Sequence, residues 1–70
     1  MLEELSRSEI EYLIDEWIIG KDSERNRRIL KRRLLDGVKY EPLAEEFDMS
    51  VRQVKRIVYK TEESLFTHIG

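Results

Sequence analysis

Seventy residues without a cysteine make one small domain, with no disulfide staples and no thiolate metal sites. A chain of this size buries only about 60% of its unfolded surface, so well-packed helices or a second chain must reinforce its core. A net charge of −2, with 40% hydrophobic and 40% charged residues, fits a globular protein and argues against a generically basic nucleic-acid binder.

The charges are segregated, however. Residues 1–20 carry one basic against six acidic residues, and residues 21–40 carry eight against three. Residues 41–50 hold four acids and no base, residues 51–60 four bases and no acid, and the last ten hold two glutamates. This alternation, more than the total, decides which surface can meet a polyanion. No apolar run approaches the roughly eighteen residues of a membrane span. The N-terminal MLEELSRSE lacks the basic and apolar regions of a signal peptide. The expectation is a cytoplasmic protein that makes no membrane contact.

Ser6 and Glu9 have the spacing of a capping box, and Leu5 with Ile10 that of a hydrophobic staple. Ile10, Leu13, Ile14, Trp17 and Ile18 then recur as the stripe of an amphipathic helix, expected over about 7–19 and stopped by Gly20. Trp17 is expected to be the largest piece of the core, as a lone aromatic on such a stripe usually packs. The opposite face is acidic, with Glu9, Glu11, Asp15 and Glu16.

A second helix is expected over about 23–36, capped by Asp22 or Ser23 and ended by Gly37. Ile29, Leu30 and Leu34 form its apolar side. Arg25, Arg28, Lys31 and Arg32 cover the other, flanked by Arg27 and Arg33. Two readings of this basic face stand together: a solvated surface paired with the acidic first helix, or a surface that contacts phosphates.

A short third helix is expected over about 40–47. Pro42 sits in its first turn, where no N–H is needed, with Leu43, Ala44 and Phe47 inward. After Asp48-Met49-Ser50, the pairs Ser50/Gln53 and Met49/Val54 repeat the capping box and the staple, so a fourth helix begins at Val51 and runs to about residue 67. Asp48 stands at a turn position that favours the left-handed conformation, which aspartate tolerates. Val54, Ile57, Val58, Thr61 and Leu65 share one arc of the fourth helix, and Arg52, Lys55, Arg56 and Tyr59 the other.

Enzyme signals are absent, and no enzyme, cofactor or metal is expected. The only histidine is His68, read as a solvent-exposed terminal residue, and the three glycines are dispersed. Binding chemistry is better supported. A helix in the major groove presents donors along one face, with its N-terminal residues nearest the bases. Arg52 and Arg56 suit bidentate contacts with guanine, and Gln53 suits adenine if it is rotated toward the groove. Lys55, Tyr59 and Lys60 suit phosphates, and Arg28, Lys31 and Arg32 can touch the backbone on one flank.

Residues 25–59 carry a family likeness. An arginine-rich helix with an Ile-Leu pair, a glycine, an aromatic-Glu-x-Leu-Ala core (Tyr40 to Ala44) and then Ser-x-x-x-Val-x-x-Ile (Ser50 to Ile57) resemble region 4 of sigma-70-type sigma factors and related small phage helix-turn-helix regulators. The resemblance implies that the last helix reads DNA in the major groove with Arg52, Gln53, Lys55 and Arg56, with Ser50 and Val51 at the helix entrance. Pro42 and Val51 depart from the family's usual polar residues. No region 2 precedes the motif, which implies a small phage or mobile-element regulator and not a full sigma factor.

The expectation is therefore an all-α domain spanning 1–70, with four helices and a tri-helical helix-turn-helix core, that binds double-stranded DNA in transcription regulation. The rival is a protein-interaction module of the same shape that binds an RNA polymerase subunit or a sigma factor. Leu65, Phe66 and Ile69 at the end leave room for a homodimer on two half-sites.

Overall fold

In a computed structural model, residues 4–69 are described, with the side chain of Ile69 outside the description. They form four helices, α1 (Arg7–Trp17), α2 (Ser23–Leu34), α3 (Tyr40–Glu46) and α4 (Val51–Ile69), and no strand among the described residues. The chain is all-α. Each of α2, α3 and α4 packs on the other two, and α1 lies against α2 and α4.

Local chemistry sets where these helices start. Ser6 Oγ accepts from the Glu9 N–H at 3.1 Å, and Glu9 Oε1 accepts from the Ser6 N–H at 3.3 Å, so two donors that lack helical partners are satisfied reciprocally. The same exchange opens α4: Ser50 Oγ accepts from Gln53 N–H at 3.1 Å, and Gln53 Oε1 accepts from Ser50 N–H at 3.0 Å. Asp48 holds φ +54°, the left-handed conformation expected of it. Met49 N–H donates to the Ala44 carbonyl at 2.9 Å and draws the turn back over the end of α3.

The start of α2 differs from expectation. Asp22 occupies the cap position but with φ +61°, and its side chain makes no capping hydrogen bond. A left-handed cap residue aims its carboxylate away from the free N–H groups, and that of Asp22 lies 3.7 Å from Arg25 Nη2. A tight turn replaces the side-chain cap, with Ser23 N–H donating to the Gly20 carbonyl at 3.2 Å.

Ile14, Ile29, Leu30, Leu43, Val54, Val58 and Leu65 are fully buried and form the core with Ile10, Ile18 and Ala44. Thr61 is buried too, and its hydroxyl is satisfied by donating to the Ile57 carbonyl at 2.7 Å.

Trp17 is not the centre of the core. It is 38% exposed and stacks on His68, with ring centroids 3.9 Å apart and planes 13° from parallel. Ile10, Ile14 and Ile18 fill the interior instead. They stand four residues apart along one edge of the stripe, and Trp17, on its other edge, is left at the rim. His68 is exposed as expected, but its ring lies flat on this tryptophan. α1 also stops at Trp17, short of the expected Ile19. The backbone turns extended at Ile18, whose carbonyl accepts from Arg27 Nε at 2.7 Å, replacing the partner that another helical turn would supply.

α2 ends two residues earlier than expected, and Arg7 ties this end to the start of α1. It donates to the Leu35 carbonyl at 3.1 Å and to Asp36 Oδ1 at 2.8 Å, while Arg32 Nη1 reaches Asp36 Oδ2 at 3.0 Å. Hydrogen bonding from Arg7, then from Arg32, holds the Asp36 carboxyl below its ordinary value of 3.8. A carboxylate whose pKa is depressed on folding stabilises the fold above its unfolded pKa, and the contribution is lost as pH falls through the folded pKa. Thermal unfolding followed by circular dichroism should therefore show the wild type losing melting temperature more steeply than Asp36→Asn below about pH 4. Equal slopes would mean that Asp36 does not take part in acid unfolding.

Candidate nucleic-acid interface

On α4, Arg52, Lys55, Arg56, Tyr59 and Lys60 recur at the spacing of a single helical face, and all are exposed. They line a shallow trough with Val51 at one end and Glu63 at the other. The repeated like charges at i and i+4 repel, which costs a helix a few tenths of a kcal/mol per pair, about 0.2–0.5. Among the described residues no carboxylate lies within 4.0 Å of any of these four cations. Tyr59 is 59% exposed in the middle of the row.

The cations of α2 are in a different condition. Lys31 Nζ sits 2.7 Å from Asp15 of α1. Arg32 makes a forked contact with Glu46, Nε 3.1 and 3.0 Å from the two oxygens and Nη2 2.7 Å from Oε1, besides its contact with Asp36. Hydrogen bonding to Glu46 and Asp36 raises the pKa of this guanidinium further above its ordinary range. Both side chains are neutralised by their own fold. Arg28 lies over the Phe47 ring, 5.7 Å from its centroid, and borders a separate hollow with Gly20, Asp22 and Arg25, away from the α4 trough.

Two other expected contact residues work within the fold. Ser50 and Gln53 hold each other in the cap of α4, and Gln53 Oε1 also accepts from Ser50 Oγ at 3.2 Å. A bidentate contact with adenine requires that oxygen, so Gln53 must first release the cap. Gln53→Ala should therefore cost about 1 kcal/mol of stability, measured by urea unfolding, and leave any DNA sequence preference unchanged. A changed preference with unaltered stability would assign Gln53 to the bases instead. Val51, at the helix entrance, is half-buried and packs on the core.

A second concavity of about 470 Å³ adjoins the trough and shares Val51 and Lys55 with it. Tyr40 is part of its lining. The Arg33 guanidinium lies 4.5 Å and Lys55 Nζ 5.5 Å from the centroid of this ring, and Tyr59 meets the ring edge-on at 6.3 Å and 76°. Arg33, Lys39 and Tyr40 did not stand out as contact residues in the sequence. Arg33 follows Lys31 and Arg32 directly, but the 100° step of a helix points it to another side. Among the described residues, no group of three histidine, cysteine or acidic side chains could hold a metal.

Compared with protein-family models, curated proteins and solved structures, the chain matches none. The arrangement of its own side chains therefore carries the functional argument.

Proposed function

We propose that the chain is a sequence-specific DNA-binding protein of transcriptional control, with α3 and α4 acting as a helix-turn-helix of the sigma-70 region 4-like kind. α4 lies in the major groove. Arg52 and Arg56, in its first turns, contact guanine edges, while Lys55, Tyr59 and Lys60 contact phosphates. One observation carries this reading: the four cations of α4 are exposed and uncompensated among the described residues, whereas Lys31 and Arg32 of α2 are neutralised by neighbouring acids. A merely solvated basic helix would gain from interspersed acids, and residues 51–60 contain none.

A duplex that supports this reading must bind with steep salt dependence, log K falling by about 0.9 per phosphate neutralised for each tenfold rise in salt. Fluorescence anisotropy across a salt series measures it. Binding that is insensitive to salt would overturn the proposal.

One observation favours the rival reading, a module that docks on RNA polymerase or a sigma factor. Tyr12 is 64% exposed on the acidic first helix, where it lines an apolar hollow with Leu5 and Leu13. Tyr12→Ala should leave DNA affinity unchanged if α4 is the nucleic-acid surface, and should weaken polymerase capture if α1 is the docking face. The homodimer loses one of its three supports, since Leu65 is buried within a single chain. Phe66 is 40% exposed, and the side chain of Ile69 lies outside the described residues.

A further inference from the structure

We infer that the hollow around Tyr40 is a second anchoring point, a clamp in which Arg33, Lys39 and Lys55 hold one phosphodiester of the DNA backbone beside the α4 trough. The inference rests on the DNA-binding reading and extends it from one helix face to a two-part surface.

Two positive charges converge on one aromatic ring, Arg33 at 4.5 Å and Lys55 at 5.5 Å from the Tyr40 centroid. Each is attracted to the ring face, but each repels the other. Lys39, the residue before α3, lines the same hollow, is exposed and makes no side-chain capping bond. None of the three has a carboxylate within 4.0 Å among the described residues. Glu41 does line the hollow, and it is the group that a phosphate must approach at a cost. Lys31 and Arg32, neighbours of Arg33 on α2, are each satisfied by an acid at 2.7 Å. The fold thus pairs Lys31 and Arg32 with acids and, among the described residues, leaves Arg33 without one.

Position supports an anion over mere exposure. The Arg33 guanidinium is held in two ways, lying over the Tyr40 ring and donating from Nη1 to the Val38 carbonyl at 3.2 Å. Tyr59 edges against Tyr40, so the clamp and the trough share one aromatic hinge. A guanidinium held this way is preorganised and loses little freedom when a phosphate arrives. Because Lys55 belongs to both surfaces, the phosphate in the hollow adjoins the groove that α4 enters.

The test uses the full chain and a duplex selected from random DNA. Arg33→Gln with Lys39→Gln should weaken binding at least tenfold, the loss of two of the three cations on one phosphate, make the salt slope shallower by about one, and leave the preferred sequence unchanged. A neutral methylphosphonate placed at each backbone position in turn should weaken the wild type at one site and weaken the double variant, which keeps only Lys55 there, much less. Lys39→Gln alone, at an exposed position, keeps the test sound if Arg33→Gln unfolds. Glu41→Gln should tighten binding. If the wild type binds but the variants keep its affinity and slope, the clamp is wrong and the α4 reading survives. If the wild type binds no duplex, both fail. A melting temperature raised by inorganic phosphate in the wild type but not in Arg33→Gln, with DNA affinity unchanged, would give the hollow to a free anion and overturn the clamp.

Discussion

Replacing Arg52 and Arg56 together by glutamate is expected to abolish specific binding to duplex DNA, with a loss of at least 100-fold by anisotropy titration. Each bidentate arginine–guanine contact discriminates by about 1–3 kcal/mol, so losing two removes roughly 2–6 kcal/mol before any repulsion is counted. Reversing the sign also places two carboxylates against phosphates, in the middle of a row that still holds Lys55 and Lys60. The fold should tolerate the change, because both side chains are exposed and make no hydrogen bond or ion pair among the described residues. The two glutamates would even alternate with the remaining cations along α4 and relieve their repulsion. A variant that keeps its helical circular dichroism and melting temperature but no longer binds would place the effect at the interface. Undiminished affinity would remove α4 from the interface.

The second large effect concerns stability. Leu65→Ala should destabilise the chain by about 2–5 kcal/mol, since it empties a fully buried position in the core. A 70-residue domain has on the order of 4–10 kcal/mol of stability in all, so this single change brings it close to unfolding. Phe66→Ala, one residue further along, removes a ring that is 40% exposed and should cost much less in a monomer. The contrast separates two roles for the end of α4. Thermal unfolding at several protein concentrations measures it. If Phe66→Ala proved as damaging as Leu65→Ala, with a melting temperature that rises with concentration, the tail would belong to an interface between copies.

Much of this architecture is legible in the sequence because short-range chemistry fixes it. Ser6/Glu9 and Ser50/Gln53 are satisfied within one helical turn, so the starts of α1 and α4 need no tertiary information. Asp48 adopts its left-handed turn for a similarly local reason. The misreadings arise where distant segments decide. Trp17 shares a stripe with Ile14 and Ile18, and periodicity cannot tell which edge of a stripe becomes the rim once α2 and α4 have closed over it. Asp22 looks like a cap by type, but its left-handed backbone, entered directly after Gly20 and Lys21, turns the carboxylate away.

The proposed binding surface divides in the same way. The basic row of α4 follows from helical spacing alone. The condition of each α2 cation does not, because Lys31 meets Asp15 and Arg32 meets Glu46 only after the helices pack. Tyr40 is visible in the sequence merely as an aromatic ahead of Glu41. Its place between Arg33 and Lys55 depends on three elements meeting. That difference explains why Arg28, Lys31 and Arg32 stand out in the sequence as backbone contacts, while the structure sets Arg33 and Lys39 beside the trough.

The proposed function requires that the outward face of α4 select a DNA sequence. Repeated selection of bound duplexes from random DNA, run in parallel with the wild type and the Arg52→Glu/Arg56→Glu variant, tests it most directly. The wild type is expected to enrich one shared motif containing guanines at the arginine-contacted positions, and the variant none. A wild-type pool indistinguishable from the input, or the same motif recovered by the variant, would contradict it.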